Sequence, residues 1–234
     1  MKALILLFVA FSAIFAAAKE KSNILIVFAH QEPQSFCYSL RNTVFKTLIM
    51  KGHEVKTSNL VQMQMILPLD KTDFTELYDP TYFRPAVEQR MANLKGRKTF
   101  SEQVRLEHDK VEWADIIVFV FPYYIMYMPG IMKGWLEHVL SYGFAYGEGH
   151  SLKGKKAMLM YTTGAPEAYI KETEAVFRDL VHAIFDFVEM TTLQPFTAYA
   201  VKDCSAEQRR EYLKEAEIIA ANIDGRETYD TLSQ

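Results

Sequence analysis

The chain has 234 residues, half of them hydrophobic, and a net charge of -3. That is enough apolar material for one domain with a large buried core, and the near balance of charge gives no basis for a nucleic-acid or anionic-membrane partner. Cys37 and Cys204 are too few for a disulfide scaffold, although a single bridge between them stays open.

Met1-Lys2 is followed by an apolar stretch from Ala3 to Ala18, ending in small residues ahead of Lys19-Glu20. Those are the parts of a secretory signal peptide. The stretch is short for a comfortable membrane span, so residues 1–18 are predicted to be cleaved. The mature chain is then expected in the secretory pathway or outside the cell, without a membrane partner. The folded domain is expected over residues 23–225.

Asn23 to Ala29 reads as a fully apolar strand, and His30 to Ser35 as the polar turn after it. A helix from about Ser35 to Lys51 follows, with Leu40, Val44 and Leu48 on one face and Gly52 beyond its end. Glu54 to Asn59 alternates like a short edge strand. From Leu60 to Lys98 no periodicity holds, and so long a connection predicts an excursion over the surface, either functional or a plain cover.

Phe100 to Trp113 is amphipathic through Val104, Glu107, His108 and Val111 and feeds the apolar run Ile116 to Phe121, which reads as the central strand. Pro122 is expected to stop its hydrogen-bond ladder, and Pro129 to open a helix running to residue 140. Lys155 to Thr162 reads as a fourth strand. A helix from about Ile170 to Phe187, with Val176, Leu180 and Ile184 inward, leads to a fifth strand around Val188 to Tyr199. Ser205 and Gln208 form a capping box for a last helix that buries Leu213, Ala216, Ile219 and Ile223. This order predicts an α/β fold, a doubly wound sheet of about five parallel strands with helices on both faces.

Three strand-to-helix loops carry chemistry. Pro122 to Met128, at the carboxyl end of the central strand, is where a planar ligand is expected. At Ser35-Phe36 the free N–H groups of a helix start, the Ser35 hydroxyl and nearby His30 suit a phosphate. Ser35 alone is better explained as an ordinary cap. Thr162-Thr163-Gly164 offers hydroxyls and approachable N–H groups to the polar edge of a heterocycle, with Tyr169 just beyond. A simple turn with an aromatic prop would look the same. No Gly-x-Gly-x-x-Gly follows the first strand, which argues against the usual dinucleotide turn, and no metal ligands are assigned.

Four stretches occur in order: Ala29-His30-Gln31-Glu32-Pro33-Gln34-Ser35-Phe36, Phe121-Pro122-Tyr123-Tyr124 with Met128 to Trp135, Gly143-Phe144-Ala145-Tyr146-Gly147, and Thr162-Thr163-Gly164. Together they resemble the NAD(P)H:quinone oxidoreductases, flavodoxin-like flavoproteins, across about residues 23 to 200. The resemblance implies a homodimer binding FAD or FMN that takes hydride from NAD(P)H and passes two electrons to a quinone in a ping-pong cycle. It implies that His30, Ser35, Phe36 and Ser39 hold the flavin phosphate region and that Pro122, Tyr123, Tyr124, Ile125 and Met126 carry the ring. Thr162, Thr163, Gly164 and Ala165 would contact its polar edge. Tyr169 matches a catalytic tyrosine that stabilises charge on the reduced ring. Tyr146 matches a residue lining the quinone pocket, with Tyr124 and Met126 also facing substrate.

The chain departs from that pattern where aromatics are usual at Ile125 and Met126, where asparagine is usual at Cys37, and where Ala165-Pro166 follow the glycine. A histidine that the animal enzymes carry after the matched tyrosine has no counterpart in Ile170 to Val176. These departures motivate a second expectation, a flavin- or quinone-binding regulatory protein with little turnover. Azo- or nitroreductase activity is a third.

Overall fold

The computed structural model describes residues 21–65 and 68–230. The leader read from residues 1–18 lies outside them. Five strands, β1 (Asn23–Phe28), β2 (Glu54–Asn59), β3 (Ile116–Pro122), β4 (Lys156–Thr162) and β5 (Thr191–Ala198), form one sheet in the order β2-β1-β3-β4-β5. All neighbouring pairs are parallel. The expected central strand is central, and each of its residues is buried. Such a strand needs no alternation, because crossover helices cover both faces.

Among the described residues, six helices pack around the sheet: α1 (Phe36–Met50), α2 (Pro85–Leu94), α3 (Glu102–Trp113), α4 (Gly130–Val139), α5 (Glu167–Phe187) and α6 (Ala206–Ala221). On one face Ile24, Ile26, Phe28, Val118 and Val120 meet Leu40, Val44 and Leu48 of α1 and Ala216 and Ile219 of α6. On the other, Leu25, Val27, Ile117, Phe119 and Phe121 meet Val111, Trp135, Phe177, Val181 and Phe185 of α3, α4 and α5. Trp135 is fully buried and donates its indole N–H to the Glu107 carboxylate at 2.8 Å. Glu107 also accepts from Ser58 and Lys110, at 2.6 Å each, so the buried charge is paired and its oxygens are satisfied.

Several expectations need correction. Pro122 closes β3 without ending its ladder: it faces Thr162 in register, and the next N–H, of Tyr123, donates to Thr162 O at 2.8 Å. Pro129 stands at the cap of α4, one residue before the helix. Helix α5 starts at Glu167, three residues early, and its inward face is Ile170, Glu174, Phe177, Val181 and Phe185. Val176 and Leu180 are 60% and 53% exposed. The helix thus carries two apolar stripes, and a buried carboxylate in the inner one made the outer look like the core face.

The fifth strand is also shorter than expected, because Glu189 turns the chain with φ 61 before it. Opposite Leu159 the register slips at Gln194-Pro195, where proline has no N–H to give. The excursion between residues 60 and 98 contains α2, which periodicity did not reveal. Cys37 and Cys204 are free thiols. After the one-turn helix Ile223–Gly225 the chain runs antiparallel along the outer edge of β5. There Glu227 O accepts from Gln194 N at 2.8 Å, and Tyr229 N donates to Thr192 O at 2.9 Å.

His108 of α3 is fully buried. Its Nε2 lies 3.0 Å from Val139 O and 3.1 Å from Ser141 Oγ, so the ring is neutral with its proton on Nε2. Burial, aided by the nearby charge of Arg97, pushes its pKa down from 6.5 to about 3. Between those values the unfolded chain takes up a proton that the native chain refuses, so stability rises with pH across that window. The slope from this one group is about 1.4 kcal/mol per pH unit, or about 2 kcal/mol lost between pH 7 and pH 5. Urea unfolding of wild type and His108→Gln at both pH values checks it. Parallel losses in the two proteins would show that His108 is not responsible.

Candidate active site

The first crossover runs outward from β1 to β2 and the next returns across β1 to β3, which opens a crevice at the carboxyl ends of β1 and β3. The rim of that crevice is continuous. Ala29 N donates to Val120 O at 3.1 Å, Tyr123 N to Thr162 O at 2.8 Å, and Thr163 N to Ala198 O at 2.9 Å. The three loops singled out in the sequence therefore meet on one edge.

At the first loop Ser35 caps α1, accepting from Tyr38 N at 3.2 Å, and Ser39 Oγ donates to Ser35 O at 3.4 Å. The Ser35 hydroxyl keeps its own proton to donate beside the helix start. His30 accepts Glu32 N on Nδ1 at 2.9 Å. Burial pulls its pKa below 6.5 despite Glu32. With Nδ1 accepting, the ring has its Nε2–H left to donate to the loop. Phe36 is buried beneath the Arg209 guanidinium, 5.7 Å from the ring centre, and beside Tyr212. Cys37 is buried against Thr162, and burial raises its thiol pKa to about 12, so it is a packing group and no nucleophile.

At the second loop, Tyr124 N donates to Tyr127 O at 2.9 Å and Tyr127 N to Tyr124 O at 3.0 Å, closing a two-residue hairpin. Ile125 and Met126 form its tip with φ 45 and 61, the left-handed pair that a type I′ turn demands. Asparagine and glycine are the usual residues there, and a β-branched residue costs more. Ile125 is 98% exposed. Beneath the hairpin, the Tyr123 ring packs on Phe177 at 5.0 Å and Tyr161 at 5.8 Å, and burial raises the pKa of its phenol.

At the third loop, Ala165 N donates to Thr163 Oγ1 at 3.1 Å. Gly164 is exposed, and the stem of Lys202 lies over it, 3.6 Å from where a Cβ would stand. Tyr169, in the first turn of α5, is 87% exposed. Tyr161 and Tyr199 point beneath this turn to Glu174, which the sequence reading missed. Glu174 accepts Tyr161 OH at 2.6 Å, Tyr199 OH and Arg178 at 2.8 Å, and Thr197 at 2.9 Å. Glu174 and Arg178 lie one helical turn apart, a spacing visible in sequence, but nothing there marked the carboxylate as buried.

One candidate stands apart. Tyr146 packs on Phe187, 4.9 Å between ring centres, and on Tyr142 at 5.4 Å. Phe187 ends the helix whose first turn holds Tyr169, and those 18 residues rise by roughly 27 Å. Within one chain, Tyr146 cannot line the same pocket as Tyr169.

The Flavodoxin_2 family, described as a flavodoxin-like fold, matches residues 22–220. The ribosyldihydronicotinamide dehydrogenase [quinone] of Pongo abelii is 35% identical over 200 residues, covering 80% of this chain and 86% of its own. The NAD(P)H dehydrogenase [quinone] 1 of Rattus norvegicus is 31% identical over 202 residues, covering 81% and 73%. A solved chain from Klebsiella pneumoniae, described as a candidate quinone reductase, superposes with TM-score 0.83 at 26% identity over 89% of this chain and 87% of its own. The fold and the crevice thus define a flavodoxin-like oxidoreductase. Within that class, the chain belongs to the NAD(P)H:quinone oxidoreductase family.

Proposed function

We propose that the protein is a flavin-dependent NAD(P)H:quinone oxidoreductase, working by two-electron ping-pong transfer and holding FAD, or FMN, in the crevice at the ends of β1, β3 and β4. The observation that carries this reading is the convergence of three chemically suited loops on one rim. The residues fit a flavin in kind: helix-start N–H groups with the Ser35 hydroxyl for its phosphate, an apolar hairpin for its ring, and the exposed Gly164, on the turn that Thr163 braces, for its polar edge. When bound, the flavin supplies the hydride chemistry.

The chain's own residues do the rest. Ser35 and His30 would donate hydrogen bonds to the phosphate region, and Ser39, whose hydroxyl donates to Ser35 O, would hold the helix start beneath it. Pro122, Tyr123, Tyr124, Ile125 and Met126 bear the ring and exclude water from it. Thr162, Thr163, Gly164 and Ala165 orient its edge, where the Tyr169 hydroxyl is free to donate toward developing negative charge.

The proposal includes a homodimer. The exposed residues Tyr169, Val176, Leu180 and Phe187 form one stripe along α5. Pairing two such helices in opposite directions about a two-fold axis would bring Tyr146 of the partner subunit to the crevice that lacks it. The secretory reading of the leader is kept as part of the proposal, and N-terminal sequencing of expressed full-length protein tests cleavage after Ala18. Among the described residues no helix is long and apolar enough to cross a membrane.

Purified protein should be yellow, release FAD or FMN on denaturation, sediment as a dimer and oxidise NADH or NADPH only when a simple quinone is supplied. Colourless protein that takes up neither flavin and shows no such turnover would overturn the reading. A tightly bound flavin with negligible turnover would favour the flavin-binding regulatory alternative, which the aliphatic tip at Ile125 and Met126 motivates.

A further inference from the structure

The segment between β2 and α3 is not needed to build the sheet, yet α2 within it grips the loop that carries Tyr146. Asn93 Nδ2 donates to Tyr142 O at 2.8 Å, and lies 3.0 Å from Gln89 O and 3.3 Å from Ser141 Oγ. Gln89 is buried; its Oε1 accepts Tyr142 N at 3.2 Å and its Nε2 donates to Glu137 O at 3.2 Å. Both main-chain polar groups of Tyr142 are therefore satisfied by side chains of one helix. The same turn of α2 supplies Arg90, whose Nε binds Glu148 at 2.7 Å, and Glu148 also accepts the Tyr142 hydroxyl at 3.3 Å.

From Tyr142 the constraint passes to Tyr146 by two short links. Gly143 N donates to Tyr146 O at 2.7 Å, and the two tyrosine rings meet edge to face. There is no slack at either glycine. A Cβ on Gly143, which has φ 83, would stand 3.2 Å from Asn93 Cβ, and one on Gly147, with φ 76, would stand 2.7 Å from the Tyr142 ring. The loop cannot slide along α2 or lift away without breaking these half-buried hydrogen bonds.

We propose that Gln89 and Asn93 are positioning residues for the electron acceptor: by holding the Tyr142 main chain they set where the Tyr146 ring stands, and so which quinones the pocket admits. This rests on the quinone-reductase reading above and on Tyr146 completing the partner's site. The segment between residues 60 and 98 then acts as a specificity element, with its polar inner face directed at one loop.

The test uses the flavin-loaded dimer and two probes, a single-ring benzoquinone and a two-ring naphthoquinone. Asn93→Asp is nearly the same size but cannot donate to Tyr142 O. Asn93→Ala removes the donor without adding charge, and serves if the first variant does not fold. Lys95→Ala, at the end of the same helix, which loses an exposed pair with Glu76 of the preceding segment, is the control.

The Asn93 variants should change the ratio of kcat/KM for the two quinones by about tenfold, through KM. They should weaken naphthoquinone binding to the oxidised protein in calorimetry by a similar factor. Flavin content and the rate of reduction by NAD(P)H without acceptor should match wild type and the control. An unchanged ratio, or equal loss on both quinones together with lost flavin, would overturn the proposal and leave the quinone-reductase reading standing. Absence of turnover in the unaltered protein would overturn both.

Discussion

Glu174→Ala lowers the free energy of unfolding by about 3 kcal/mol, toward the lower end of what removing one partner of a buried ion pair costs. The side chains of Glu174 and Arg178 are 3% and 21% exposed, so the orphaned guanidinium recovers some hydration and the full penalty is not reached. Three hydroxyls lose their acceptor at the same time. Tyr161 is fully buried, and burial already holds its phenol far above its usual pKa, so it cannot turn to water. Burial likewise raises Tyr199 to about 12.

For a chain of this size the expected fall in melting temperature is roughly 6–12 °C. Glu174→Gln, which keeps an acceptor for the hydroxyls but not the charge for Arg178, should fall between. Urea and thermal unfolding decide the matter, and a loss below about 1 kcal/mol would mean the network is replaceable by water. Because these tyrosines underlie the turn at Thr163 to Ala165, flavin affinity should fall together with stability.

The second large effect has the opposite sign for stability. Replacing Ile125 with asparagine and Met126 with glycine puts at the hairpin tip the pair that tolerates left-handed φ. Two non-glycine residues in that region cost about 1–2 kcal/mol each, so the double variant should unfold with about 2 kcal/mol more resistance. The same change strips the apolar tip from the proposed ring bed. Flavin retention after gel filtration should drop, and the dissociation constant should rise about tenfold or more. Strain concentrated at a binding loop is a recognised pattern. A variant that is no more stable than wild type would refute the strain, and one that keeps its flavin as tightly would remove Ile125 and Met126 from the bed.

Legibility from sequence followed burial symmetry. Ile116 to Phe121 could be read as the central strand because a strand covered on both faces has no polar positions to confuse the pattern. The capping box at Ser205 and Gln208 formed as read, since both halves of that motif are local. Helix α5 was placed but rotated: Val176 and Leu180 present a stripe as regular as the true inner one, and Glu174 hides the latter by burying a carboxylate. Helix α2 was missed because it buries Glu88, Gln89 and Ala92, a face that no hydropathy rule reports as a core.

The hairpin at Tyr124 to Tyr127 lacked its usual turn residues and so gave no signal. The loops at Ser35, Pro122 and Thr162 were legible as neighbours on one rim, since each follows a strand and parallel strands deliver their carboxyl ends to one edge. That Tyr146 lies at the far end of α5 depends on tertiary placement, which no spacing along the chain encodes.

The segment that pairs with the outer edge of β5 has a consequence for colloidal behaviour. A parallel sheet has two exposed margins, and each is a template on which another chain could add a strand. By spending Glu227 to Tyr229 on the β5 margin, the protein covers the backbone groups of Thr192 and Gln194 that a neighbouring molecule would otherwise seek. A chain cut after Gly225 would keep its crevice but expose that margin, so its first failure should be growth into aggregates at high concentration.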